Sequence, residues 1–146
     1  MLNNILTDKQ LIKIKKSKKK IVLCHGVFDL FHVGHLNHID DAKKFGDILI
    51  VSVTSDRYVN KGPGRPFFNL KQRMQILTSI KNIDYVISSD SPNSVKIIKK
   101  IKPNIYFKGP DYLNTKNDFT GAIKKEIEEV KKNKGKIIYG VGQTFS

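Results

Sequence analysis

The run from Ile21 to Val53, IVLCHGVFDLFHVGHLNHIDDAKKFGDILIVSV, decides how the chain folds. It begins with IVLC and ends with DILIVSV, short apolar runs rich in branched residues that read as strands buried on both faces. Between them, His35 to Phe45 carries a helical pattern that Gly46 closes. Strand, helix and strand in that order make a parallel crossover unit. Downstream, DYVIS, NIYFK and KIIYG read as further strands. Asn69 to Ile80, Pro92 to Ile101 and Thr120 to Lys132 read as helices, the last with apolar spacing at Ile123, Ile127 and Val130. The alternation predicts an α/β fold, a Rossmann-like, doubly wound parallel five-stranded sheet. No internal repeat and no long low-complexity linker interrupts it.

At 146 residues with 39% hydrophobic side chains, the chain is the size of one domain around one core. Thr7, with Gln10 three residues on, can cap a short amphipathic helix in DKQLIKIKK, and KKSKKK then reads as a solvated connector. The expected division is residues 1–20 as an N-terminal helix and lysine-rich connector, and 21–146 as the main domain. No apolar run reaches the ~20 residues that cross a bilayer, and MLNNILTDKQ lacks the order of a signal peptide, so a cytoplasmic location is expected. Cys24 is the single cysteine, which excludes an intrachain disulfide and a multi-cysteine zinc site; in its apolar run it reads as a small buried hydrophobe. Twenty-seven basic residues against thirteen acidic give a net charge of +14, which would suit a nucleic-acid partner. Nearly all are lysines scattered among isoleucines and asparagines, however, which reads as a compositional habit. Arg57, Arg65 and Arg73 stand out in such a chain as places that want a forked guanidinium, with a solvated surface arginine as the competing reading, strongest for Arg57.

In an open α/β sheet, ligands bind beyond the carboxyl ends of the strands. The segments there are HGVFDLFHVGH, TSDRYVNKGPGRP, SSDSPNS, GPDYLNTKNDF and VGQTFS, and four of the five combine Gly with polar or charged groups. All the histidines, His25, His32, His35 and His38, fall within fourteen positions. Gly26 follows the first strand, where the missing Cβ permits close ligand approach, and His32, Gly34 and His35 lead into a helix whose free N–H groups favour anions. Phosphate fits that place. A metal fits less well, because the helix carries His38 about 120° away from His32 and no further ligand stands at a zinc spacing. No metal ligand is therefore assigned. His38 reads as a helix-surface residue, His25 as either a pocket wall or a structural hydrogen bonder, and Asp29 as a group bonding backbone within its turn. Both G-x-G-x-x-G and G-x-x-x-x-G-K-[ST] are absent, so phosphate must be held by another device.

GVFDLFHVGH resembles the GxFDxxHxGH motif of the cytidylyltransferase-like nucleotidyltransferases, with its HxGH element at His32 to His35. KGPGRP, QRMQIL, DYVI and KGPDY extend the likeness over nearly the whole chain from Ile21. They are most similar to the adenylyltransferase domain of bacterial ADP-heptose synthases, and also to glycerol-3-phosphate cytidylyltransferases. The resemblance implies nucleotidyl transfer: a sugar- or polyol-phosphate attacks the α-phosphorus of a nucleoside triphosphate, ATP ahead of CTP, and pyrophosphate leaves, as in making surface-polysaccharide precursors. It implies catalytic roles for His32, His35, Lys61 and Arg73, with Arg65 closing beside Lys61. It implies nucleotide contacts from Gly26, Val27, Phe28, His32, Gly34, His35, Lys108, Gly109, Asp111, Thr144, Phe145 and Ser146. Mg²⁺ is expected to arrive on the triphosphate, held by its oxygens and water. The expected partners are the nucleotide, the phosphorylated acceptor and a second copy of the chain in a homodimer, with no membrane. Two departures stand against the family pattern. KGGDY has become KGPDY, where Pro110 stiffens the turn and removes one N–H, and the chain stops at GQTFS, as if truncated at the family's C-terminal helix. A noncatalytic basic module that binds nucleic acid with steep salt dependence is the competing reading.

Overall fold

A computed structural model describes residues 4–59, 62–109 and 121–140. Helix α1 (Asp8–Lys16) starts where the sequence places it: Thr7 Oγ1 accepts the Gln10 N–H at 3.2 Å, and Gln10 Oε1 accepts the Thr7 N–H at 2.9 Å. Then follow β1 (Ile21–Gly26), α2 (Val33–Lys43), β2 (Ile48–Thr54), a 3₁₀ turn (Asp56–Tyr58), α3 (Leu70–Thr78), β3 (Tyr85–Ser89), α4 (Val95–Ile101), β4 (Ile105–Lys108), α5 (Ala122–Lys132) and β5 (Lys136–Tyr139). The sheet has the order β3-β2-β1-β4-β5 with every pair parallel, the expected five-stranded architecture. The chain direction across the sheet reverses between β1 and β4, so the crevice where such folds bind ligands lies beyond the ends of those two strands.

Alternation along the strands sends side chains to two cores. On one face Leu23, Ile50 and Tyr106 pack with Leu11 and Ile14 of α1, Ile97, Ile98 and Ile101 of α4, and Val130 of α5. On the other, Cys24, Leu49, Val51, Val53 and Phe107 pack with Ile39 and Ala42 of α2 and Leu77 of α3. Helix α1 thus belongs to the same core as the sheet. The segment before it runs along the outer edge of β3, where the Leu6 N–H donates to the Val86 carbonyl at 2.8 Å and the Val86 N–H to the Asn4 carbonyl at 2.9 Å. Gly46 returns the chain so close to β1 that a Cβ there would fall 2.7 Å from Val22 Cγ2 and 2.8 Å from the Lys20 carbonyl oxygen.

Three elements differ from the sequence expectation. Helix α4 begins at Val95, not Pro92. Helix α2 begins at Val33, not His35, because His32 itself caps it. Helix α5 buries Glu126, Glu129 and Val130, while Ile123 and Ile127 stay only half-buried. No helix among the described residues is long and apolar enough to cross a membrane.

Candidate active site

The loop from β1 to α2 is folded tightly. Phe28 and Leu30 adopt left-handed backbone, φ +53° and +50°, each at a cost of about 1–2 kcal/mol for a residue with a side chain. Asp29 stands between them and reaches outside its own turn. Its carboxylate accepts the Phe67 N–H at 2.7 Å and the Phe68 N–H at 3.0 Å, besides that of Leu30, and Arg65 lies 3.7 Å away. Burial alone would raise the carboxyl pKa; the N–H groups of Phe68, Phe67 and Leu30, together with Arg65, outweigh it and hold the pKa below the ordinary value. The sequence expectation of a bond within the turn is thus only part of its role, because Asp29 also clasps the segment before α3. The space that Gly26 leaves open is filled by the Phe28 ring, whose Cε2 would sit 3.0 Å from an added Cβ. The close approach is therefore made by a neighbouring ring.

His32 and His35 form the start of α2. His32 is extended (φ −138°), its Nδ1 accepts the Gly34 N–H at 3.0 Å, and His35 Nδ1 accepts the His32 N–H at 3.2 Å. The two rings stack with centroids 4.0 Å apart, and His35 also lies on Phe31 at 5.3 Å and against Phe28 at 5.7 Å. A ring nitrogen that accepts carries no proton, so in each neutral imidazole the hydrogen sits on Nε2. The helix start therefore carries a proton on Nε2 of each ring, in a field that favours negative charge. His38, expected on the helix surface, is half-buried there. It packs at 4.8 Å on the Phe107 ring, and burial pushes its pKa down.

Arg73, in the first turn of α3, is fully buried. Its Nε donates to the Phe68 carbonyl at 2.9 Å, Nη1 to those of Val27 at 2.9 Å and Thr54 at 2.8 Å, and Nη2 to Asp56 Oδ1 at 2.6 Å. The expected contact with phosphate is thus replaced here by a knot that joins the β1–α2 loop, the end of β2 and the segment before α3. A buried forked cation costs too much unless its donors find acceptors, and three backbone carbonyls and a carboxylate supply them. Arg57 follows its surface reading, exposed and paired with Asp90, which also accepts from Ser55 at 2.6 Å.

Lys108, at the end of β4, is buried, with its Nζ 2.5 Å from Glu126 Oε2 on α5 and 4.9 Å from the Tyr106 ring centroid. Gly109 is buried beside it. His25, level with Lys108 across β1, has Nδ1 2.7 Å from Ser52 Oγ and Nε2 3.4 Å from Thr54 Oγ1, and burial pushes its pKa down to about 4. Burial pushes the Cys24 thiol up, as suits a packed hydrophobe. Gly26, Val27, Phe28, His32, Gly34 and His35 therefore meet in one loop with Arg73 tied beneath, and Lys108 and Gly109 end the neighbouring strand. Lys61, Asp111, Thr144, Phe145 and Ser146 lie outside the described residues. Among the described residues, no group of three His, Cys, Asp or Glu side chains could hold a metal ion. The sequence reading missed Asp56 and Glu126. The first stands two residues past a strand end among other polar groups, and the second lies inside an apolar helical pattern, where charge ordinarily marks the solvent face.

A parallel sheet in the order β3-β2-β1-β4-β5 with helices on both faces defines a Rossmann-like α/β domain. The chain belongs to the cytidylyltransferase-like family, whose profile matches residues 23–141. It is 37% identical over 132 residues to the bifunctional protein HldE of Aliarcobacter butzleri, covering 88% of this chain and 27% of that one. It is 40% identical over 109 residues to HldE of Helicobacter pylori strain G27, covering 73% and 24%. The chain thus spans about a quarter of the length of these curated relatives. Among solved structures, the lipopolysaccharide core biosynthesis protein of Thermoplasma volcanium superposes with a TM-score of 0.68 at 25% identity, covering 83% of this chain and 95% of that one. Pantoate-beta-alanine ligase from Francisella tularensis shares the fold, with a TM-score of 0.59 at 20% identity and coverage of 97% and 68%.

Proposed function

We propose that this chain transfers a nucleotidyl group from a nucleoside triphosphate to a sugar- or polyol-phosphate. A phosphate oxygen of the acceptor forms a bond to the α-phosphorus while the bond to the bridging oxygen breaks, and pyrophosphate leaves with the electron pair. The nucleophile is already ionised near neutral pH, so catalysis rests on positioning and on stabilising charge in the transition state. His32 and His35 donate from Nε2 to phosphate oxygens, the positive end of the α2 dipole assists, and Lys61 and Arg65 close over the polyphosphate. Arg73 acts from beneath by fixing the loops. Lys108 and Gly109, with Asp111, Thr144, Phe145 and Ser146, border the nucleotide. The observation that carries this reading is the pair of stacked imidazoles whose Nδ1 atoms both accept backbone N–H groups, which leaves both Nε2 atoms as donors.

Mg²⁺ fits as an ion that arrives with the nucleotide, because the described residues offer no cluster to cage it and triphosphate oxygens and water would complete its shell. When bound it neutralises charge on the leaving pyrophosphate. ATP is preferred to CTP, and the acceptor is a precursor of surface polysaccharide. The likeness to the bifunctional HldE proteins and to a lipopolysaccharide core biosynthesis protein supports that choice. The protein works in the cytoplasm, where nucleotides and sugar phosphates are made, and pairs as a homodimer.

Thermal melts with ATP, CTP, GTP and UTP in the presence of Mg²⁺ test the proposal. One nucleotide should raise the melting temperature progressively with its concentration, the stabilisation reaching about 2.7 kcal/mol at a hundredfold excess over Kd, and a His32→Ala, His35→Ala double variant should lose the effect. No shift with any of the four, together with no labelled pyrophosphate exchange with phosphorylated acceptors, would overturn it.

A further inference from the structure

Beyond the switch point, on the face opposite α2, Lys108 meets a polar cluster of Glu126, Ser94 and Tyr106, none of which any motif of the family reading contains. Glu126 comes from the middle of α5 and is buried, yet it carries no apolar load. One carboxylate oxygen lies 2.5 Å from Lys108 Nζ, and the other accepts the Ser94 N–H at 3.4 Å, at the start of α4. Ser94 in turn accepts from the Tyr106 hydroxyl at 2.7 Å. The carboxylate is thus contacted at both oxygens from two different elements. Lys108 has a flexible four-carbon stem, and a buried ammonium sheds its proton readily unless an anion stands beside it.

We infer that Glu126 is a positioning residue for Lys108: from α5 it fixes the ammonium at the sheet rim and keeps it charged, so that Lys108 meets the nucleotide as a placed cation. The inference rests on the proposed nucleotide site and adds a residue to it. The titratable groups facing Lys108 among the described residues are Glu126 on α5, His25 on β1, Tyr106 on its own strand and Tyr139 opposite it in register on β5. Of these only Glu126 is a carboxylic acid. The pair could instead act as a lock in which the carboxylate competes with phosphate for the lysine, and that arrangement makes the opposite prediction.

Binding of ATP with Mg²⁺ is measured calorimetrically from about pH 6.5 to 9.5, across which an unperturbed lysine stays charged. The proteins are the wild type, Glu126→Gln, Glu126→Asp, Lys108→Gln and the Glu126→Gln, Lys108→Gln double variant, each checked by its melting curve. Glu126→Gln keeps the shape and an acceptor oxygen but not the charge. Its affinity should weaken as pH rises, approaching a tenfold loss per pH unit once the lysine deprotonates, while the wild type stays flat. Glu126→Asp should restore a flat profile, and Glu126→Gln should add nothing to Lys108→Gln. A folded Glu126→Gln protein that binds as the wild type does at every pH, or more tightly, overturns the inference.

The lysine side-chain NMR spectrum without nucleotide separates this outcome from failure of the proposed function. If the wild type binds no triphosphate, the function falls, and an unshifted Lys108 titration in Glu126→Gln overturns the charge-holding role as well. Should Glu126→Gln not fold, the wild-type spectrum decides. Lys108 must remain protonated at about pH 9.5 and respond on saturation with ATP, and a lysine that titrates earlier or ignores the nucleotide overturns the inference.

Discussion

His25 shows how one side chain can set a pH limit on the whole protein. Burial lowers its pKa from 6.5 to about 4. Below pH 6.5 the unfolded chain takes up a proton that the folded chain refuses, so the contribution of this residue is complete above pH 6.5 and is lost as pH falls toward 4. At about 1.4 kcal/mol per unit, the loss amounts to roughly 3 kcal/mol. Asp29 and Asp90, whose pKa values are depressed, act in a different window: their stabilisation is present above the ordinary 3.8 and disappears only further down. Urea titrations at pH 7 and pH 4.5 should therefore show a marked drop in stability for the wild type, and His25→Gln should reduce it, leaving the share of His38, whose pKa burial lowers in the same window. An equal drop in the variant would place the sensitive group elsewhere. The sequence left His25 between two readings because a histidine ending a strand looks the same whether it faces a ligand or a serine on the next strand. Ser52 became its partner only through the parallel register that sets His25 opposite it.

At the scale of elements, the loops at the carboxyl edge are held by two residues pulling on the same segment. Asp29 accepts the Phe67 and Phe68 N–H groups, and Arg73 binds the Phe68 carbonyl along with Val27 and Thr54. Asp29→Asn exchanges one accepting oxygen for a donor that faces another donor, so amide hydrogen exchange at Phe67 and Phe68 should speed up while the core amides keep their protection. Arg73→Lys cannot span the acceptors. With roughly 1–3 kcal/mol for each buried acceptor left unpaired, its melting temperature should fall by well over ten degrees, and pyrophosphate release should fall with it. A lysine variant that melts like the wild type would mean that the knot contributes nothing. Strands and helices were legible because periodicity and turn residues are local signals. The α2 boundary was not, since histidine is an unusual N-cap and nothing local marks it as one. Arg73 was singled out as a place that wants a guanidinium, but the acceptors it needs lie 5, 17, 19 and 46 residues away, and a sequence does not display those distances in space.

Across the whole molecule, the sheet order puts the site at a reversal between β1 and β4, and the N-terminal segment closes the far edge at β3. The helical pattern of residues 8–16 was plain in the sequence, whereas the parallel pairing of Ile5 with Val86 joins residues too distant along the chain for any pattern to reveal. That pairing bears on how the chain holds together. An uncovered edge strand exposes unpaired N–H and C=O groups, and Leu11 and Ile14 fill the same core as Leu23, Ile50 and Tyr106, the strand residues that lead up to His25, Ser52 and Lys108. Removing residues 1–17 should therefore do more than shorten a tail. Truncating Leu11 or Ile14 to Ala alone should cost about 2–5 kcal/mol, and the deletion should cost at least as much, lower the melting temperature steeply and promote association through the bared β3 edge. Light scattering beside the melting curve distinguishes the two effects, and Leu11→Ala, which leaves the edge covered, should lose stability without associating. A deletion protein as stable and as monodisperse as the full chain would show that the sheet from Ile21 onward is self-sufficient, and the N-terminal helix would then be an accessory to the core.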